Sequence, residues 1–232
     1  MRIRVVVPVS TEIWNAGVRE VCEQAADRDT TVEVVNLERG PESIECMYDE
    51  ETVAPFVIDA VVRAEAEGAD AAVIYCFGNP ALEGAREAVS IPVVGLGEAA
   101  EVAAMPLGDR FGIISTLPEA VPRHYRKARL LGTDGKLAAV VPLGLKVLQL
   151  GERGRVIEAA VAAGRELLAR GAQVVVLGCG SLLGVADELR KELGVPVVVP
   201  AVAAIKLAEA YVKMRAAHSR LAYPRPPEKV RK

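Results

Sequence analysis

Histidine is almost missing from this chain, with two residues in 232, and no Cys-x-x-Cys pair stands beside them. Without His and Cys clustered at ligand spacing, no metal site is expected. Cysteine is sparse as well. Cys22, Cys46, Cys76 and Cys179 are too few in a chain of this length for a disulfide framework. No apolar run approaches the ~20 residues that cross a bilayer. The stretch in MRIRVVVPVS is too short for a signal peptide and reads as a first strand. The expectation is a soluble cytoplasmic protein with no membrane partner. An excess of basic charge is also lacking: 28 Lys and Arg face 31 Asp and Glu, a net charge of −3. No nucleic-acid partner is expected from that balance. The two basic clusters, Arg123, Arg126, Lys127 and Arg129 and the tail after Arg225, read as solvated faces.

What the chain does have is apolar sequence, 51% of it, enough for one large core or two small ones. Short β-branched runs cover Arg2–Val9, Thr31–Leu37, Ala71–Cys76, Pro92–Leu96, Arg110–Ser115, Leu137–Leu143, Gln173–Gly178 and Pro196–Val199. They are near-continuously apolar, as parallel strands covered on both faces must be. Helical stretches such as Ala54–Glu67, Ala81–Ala88, Arg155–Arg170 and Val185–Leu193 lie between them. That alternation means βαβ units.

The strands fall into two similar sets. GADAAVIYCFGNPALEGAREAVSIPVVGL from Gly68 aligns with GAQVVVLGCGSLLGVADELRKELGVPVVV from Gly171, and each copy carries its cysteine eight residues after the first Gly. RIRVVVPVST likewise parallels GDRFGIISTL. The fold expected is α/β: two flavodoxin-like lobes, each with a four-stranded parallel sheet, related by a pseudo-twofold axis. Residues 1–98 with 205–232 would form the first lobe and 99–204 the second, the final helix (Ala201–Arg215) crossing back and the active site lying in the cleft between lobes. Ligands of parallel sheets bind at the carboxyl ends of strands. Cys76 and Cys179 therefore sit at the functional edge of their lobes, and facing lobes would aim both sulfurs at one small-molecule ligand.

A thiolate and a thiol on opposite sides of a carbon can invert it, one removing a proton and the other supplying one. Cysteine suits this because its pKa of about 8.5 lets modest environmental shifts select either form. The carbanion needs donors, and backbone N–H groups near Gly78, Asn79, Gly180 and Ser181 are the candidates. Ser10 and Thr11 end the first strand, and Ser115 and Thr116 its counterpart; their hydroxyls either touch ligand or cap helices. Trp14 and Asn15 are placed to line the cleft. Cys22 and Cys46 read as small buried hydrophobes, His124 and His218 as surface residues, and Glu45, Asp49, Glu50 and Glu51 as a solvated, loop-capping group.

Several stretches carry a resemblance: GPESIECMYDE (Gly40–Glu50), YCFGNPALEGARE (Tyr75–Glu87), PVVGLGEAA (Pro92–Ala100), VLGCGSL (Val176–Leu182), GVPVVVPAVAAIKLAE (Gly194–Glu209) and YPRPPEK (Tyr223–Lys229). In order and spacing they resemble the aspartate/glutamate racemase superfamily, and within it the hydantoin and allantoin racemases. The resemblance implies a cofactor-independent isomerase, a homo-oligomer acting on 5-substituted hydantoins or related cyclic ureides. It assigns acid/base roles to Cys76 and Cys179 and puts Gly78, Thr116, Gly178 and Gly180 near the ligand. With Ser10, Thr11, Phe77, Asn79, Ser115 and Ser181 these are the expected substrate contacts. Cys76-Phe77-Gly78 and Gly178-Cys179-Gly180 differ from the Cys-Asn-Thr and Gly-Cys-Thr-His junctions of amino-acid racemases, which favours a ureide ring. Pro8-Val9-Ser10-Thr11, Asn79, Ala81 and Gly180-Ser181 depart from the ureide racemases' usual residues at the ligand's edge. Alternatives are an Asp/Glu-type racemase, an arylmalonate-decarboxylase-like or maleate-isomerase-like enzyme, and a two-lobed binding protein with redox-sensing thiols.

Overall fold

The computed structural model describes residues 1–229; residues 230–232, the end of the expected first lobe and of the basic tail, lie outside them. The first half runs β1 (Arg2–Val7), α1 (Asn15–Ala25), β2 (Thr31–Asn36), α2 (Met47–Ala66), β3 (Ala71–Ile74), α3 (Leu82–Ala88), β4 (Val93–Gly95) and α4 (Leu96–Ala104). The second repeats it with β5 (Phe111–Ser115), α5 (Val121–Leu131), β6 (Leu137–Pro142), α6 (Arg153–Ala169), β7 (Val174–Leu177), α7 (Ala186–Leu193), β8 (Val197–Val198) and α8 (Pro200–Lys213). The sheets have the same order, β2-β1-β3-β4 and β6-β5-β7-β8, with every pairing parallel. This is the expected α/β class, two flavodoxin-like four-stranded lobes. The runs were apolar because helices cover both faces: every residue of β3 and of β7 is buried.

Two departures bear on function. The cysteine-bearing strands stop earlier than the sequence suggests, β3 at Ile74 and β7 at Leu177, so Cys76 and Cys179 stand on loops beyond them. Glycine at 178 permits this exit: a Cβ there would sit 2.5 Å from the Ile114 carbonyl oxygen. Helix α2 begins at Met47, not Ala54. Pro55 lies inside the helix, whose start is fixed by Asp49 Oδ2 accepting the N–H groups of Glu45 (2.9 Å) and Cys46 (3.2 Å). Cys46 is thus an exposed cap residue, correcting its reading as buried, while Cys22 is buried.

Helices α4 and α8 are exchanged. Ala100 and Ala104 of α4 pack with Phe111, Ile113 and Val174 of the second sheet. Ala201, Ala204, Ile205 and Ala208 of α8 join the core of the first. The two helices also touch each other. Beyond α8 the chain straps back onto the first half: His218 Nε2 accepts the Val93 N–H (2.8 Å), and Arg220 donates to the Arg86 and Glu87 carbonyls (3.2 and 3.1 Å). His218 is therefore half-buried and bonded, not a surface residue. Among the described residues no helix is long and apolar enough to cross a membrane.

Candidate active site

The carboxyl ends of four strands converge on one cleft. It takes Val7, Pro8 and Val9 from the end of β1, Tyr75 to Gly78 after β3, Thr116 after β5, and Gly178 to Ser181 after β7. Trp14 and Val18, the Glu42–Ile44 segment, Arg123 of α5 and Val147 complete the walls. The space measures about 600 Å³ with its open mouth. Both Cys76 and Cys179 line it and both are partly exposed.

Tyr75 joins the two cysteine loops directly. Its hydroxyl donates to the Gly180 carbonyl at 3.1 Å, bonding the residue before one cysteine to the residue after the other. The ring needs the space that Gly180 leaves, since a Cβ there would lie 2.7 Å from Tyr75 Cε1. Tyr75, missed from sequence, thus ties the loops of the two anticipated cysteines together through Gly180, an expected residue.

Burial pushes the Cys76 thiol up to about 12, and the Glu50 carboxylate adds to that; the Arg123 guanidinium and the Gly78 N–H act against it. Burial also raises Cys179, opposed by the N–H and hydroxyl of Ser181 and by Arg123. The Ser181 N–H reaches Cys179 Sγ at 3.4 Å. Both thiols are therefore protonated at neutral pH, and both feel the same arginine.

That arginine corrects the sequence reading. Arg123 and Lys127 are not a solvated face: they enclose the buried Glu50, Arg123 Nη1 3.0 Å from Oε1 and Lys127 Nζ 2.8 Å from Oε2. Lys127 also donates to the Gly78 carbonyl, and a Cβ on Gly78 would collide with the Glu50 carboxylate. Glu50 belongs to this buried cluster and not to a solvated acidic group; Glu45 accepts the Val147 N–H at 3.0 Å. His124, read as a surface residue, is buried with its Nε2 3.0 Å from Ser115 Oγ and its ring edge-on to Phe77. Burial, aided by Arg123 and Lys127, drives its pKa down to about 3, so it is neutral.

The cleft brings together Cys76, Phe77, Gly78, Thr116, Gly178, Cys179, Gly180 and Ser181 of the expected residues, and Trp14. Four others do other work. Ser10 Oγ donates to the Gly40 carbonyl (2.9 Å), Thr11 Oγ1 accepts the Ile13 N–H (3.4 Å), Ser115 bonds His124, and Asn79 Oδ1 accepts the Gly97 N–H (2.8 Å) at the start of α4. Among the described residues no group of His, Cys, Asp and Glu is arranged to hold a metal ion.

Comparison with known proteins identifies the family. A model of the family described as Asp/Glu/Hydantoin racemase matches residues 3–208. The chain belongs to the Asp/Glu/hydantoin racemase family. Hydantoin racemases from Paenarthrobacter aurescens and Pseudomonas sp. strain NS671 are similar to it: 35% identical over 99% of both chains, and 33% over 99% of this chain and 93% of the relative. The crystal structure of an allantoin racemase from Pseudomonas fluorescens superposes with a TM-score of 0.95 at 32% identity, covering 100% of each chain. Within this family member, the signals for Arg123 and Glu50 were present but unpaired: an Arg–Lys pair four residues apart on one helix, and an acid in the GPESIECMYDE stretch.

Proposed function

We propose that the protein is an isomerase that racemises 5-substituted hydantoins or related cyclic ureides such as allantoin, without a cofactor, using Cys76 and Cys179 as opposed acid and base. One observation carries the reading: equivalent cysteine loops from the two halves of a repeated fold line one cleft and are bonded through Tyr75 and Gly180. A thiolate on one face takes the proton from the stereocentre, the thiol on the other returns one, and the roles reverse with direction. The lining supports a neutral ring over an amino-acid zwitterion, with Val7, Val9, Trp14, Val18, Ile44 and Val147 supplying apolar wall. Division into lobes 1–98 with 205–232 and 99–204 belongs to the same proposal. So does a homo-oligomer in the cytoplasm, supported by the exposed Tyr48, Phe56 and Leu130 and by four free cysteines that suit a reducing compartment.

The test is racemisation of enantiopure isopropylhydantoin, benzylhydantoin and allantoin in deuterated water. Loss of optical rotation with deuterium uptake at the stereocentre is expected. Cys76→Ser and Cys179→Ser should each lower the rate by on the order of 10²–10⁴ while the fold persists. Activity surviving in both single variants contradicts the two-thiol scheme. Racemisation of aspartate or glutamate alone, arylmalonate decarboxylation, maleate isomerisation, or reversible disulfide formation with ligand binding intact would each replace it.

A further inference from the structure

Removing a proton beside a carbonyl places negative charge on the carbonyl oxygen, and that oxygen needs a donor. The loop amides expected to serve are largely engaged. The Asn79 N–H donates to the Cys76 carbonyl at 2.9 Å and the Ser181 N–H to Cys179 Sγ at 3.4 Å, while the Gly78 N–H supports the Cys76 sulfur.

Arg123 is in the opposite condition. Its side chain is 10% exposed and lines the cleft with both cysteines. Nη1 is buried against Glu50 Oε1 at 3.0 Å, the two atoms facing each other without an aligned hydrogen bond, while Nε and Nη2 are not among the buried atoms and form no hydrogen bond among the described residues. A guanidinium carries five N–H donors, so those turned away from Glu50 are available to an acceptor in the cleft. Glu50 does not cancel its charge, because Lys127 holds the second oxygen of the same carboxylate. Two cations on one anion leave a net positive group against the cleft wall, where an oxyanion would form.

We propose that Arg123 is a catalytic residue, the electrophile that hydrogen-bonds the substrate carbonyl oxygen beside the stereocentre and holds the charge of the enolate. The inference rests on the two-thiol reading. One thiolate takes the proton, becoming a thiol; the C–H electron pair moves into the carbon–carbon bond and the carbonyl pair onto the oxygen held by Arg123. The opposite thiol then protonates the other face as the pair returns, and is left as the thiolate. Proton and charge balance, with the two sulfurs exchanged in state. Glu50 and Lys127 are positioning residues, fixing the guanidinium at a point that both sulfurs sense.

The experiment compares Arg123→Met, Arg123→Lys and Arg126→Met on isopropylhydantoin and phenylhydantoin across pH 7–10. Removing one oxyanion donor typically lowers kcat by ~10²–10³, and that loss is expected for Arg123→Met at every pH. It should be smaller on phenylhydantoin, whose ring shares the carbanion charge. Arg123→Lys keeps the charge but not the planar donor set, and a kcat loss with an unmoved pH profile is expected. Arg126, exposed on the same helix, leaves kcat unchanged on substitution. Should Arg123→Met recover the parental rate at high pH, the arginine serves only to favour a thiolate and the proposal is overturned. Parental kcat in Arg123→Lys and Arg123→Met together also overturns it. If Arg123→Met fails to fold, the Lys variant and Glu50→Gln/Arg123→Met, which removes both charges, carry the same test. Running Cys76→Ser and Cys179→Ser alongside separates the failures. Active cysteine variants refute the two-thiol reading, whereas inactive ones beside a fully active Arg123→Met refute only the arginine's role.

Discussion

Cys76 and Cys179 answer two opposed requirements. Burial keeps both protonated, whereas the proposed reaction needs one as thiolate. With Cys76 pushed up to about 12, its thiolate fraction grows about tenfold per pH unit until that value is approached. Iodoacetamide labelling of Cys76, followed by peptide mass spectrometry, should therefore keep climbing from pH 7 past pH 10. A plateau near pH 9, as for an ordinary thiol, would show that the sulfur is not held in this environment. At this scale the sequence was legible where chemistry was duplicated, since a cysteine at the same junction of both repeats is a signal in itself. It misled on Arg123 and Glu50, read as solvated charges because each occurs in one copy and they meet only when α5 packs against the start of α2. Ser10, Thr11, Ser115 and Asn79 carried the right chemistry for ligand contact but found partners within their own loops and neighbouring elements, as short polar side chains at strand ends commonly do.

Between elements, the contact of α5 with the start of α2 is the one with the largest stake. Glu50 is buried with two cations, so losing its charge leaves both unpaired in a poorly solvated place. Breaking such a cluster from one side typically costs ~3–5 kcal/mol. Glu50→Gln should lower unfolding free energy in urea by about that amount, and Glu50→Gln/Arg123→Met/Lys127→Met should regain most of it. A single variant as stable as the parent would mean that the cluster holds nothing together. The strands were readable because a parallel sheet covered on both faces imposes near-continuous apolar runs. The start of α2 was not, because the capping carboxylate of Asp49 lies upstream of Ala54.

For the molecule as a whole, the internal repeat announced two lobes, but not the contact between α4 and α8. The final helix was expected to cross back to the first lobe, but an Ala-rich face such as GEAAEVAA does not by itself say which neighbouring helix it meets. Because Ala201, Ala204, Ile205 and Ala208 fill the first core, a chain ending at Val199 should lose cooperative unfolding and soluble expression together, as followed by near-UV circular dichroism. A soluble truncation that melts sharply would show that the first lobe closes without α8.

The hydrogen bond from Tyr75 to Gly180 has a mechanical meaning as well as a geometric one. With the Glu50–Arg123 pair, it cross-braces the halves behind the reaction chamber, and the traded helices stiffen the frame further. The two cysteine loops are thereby held to one another through a direct bond and not by side-chain packing alone. On the two-thiol reading, both mirror-image forms would meet the same fixed arrangement of sulfurs.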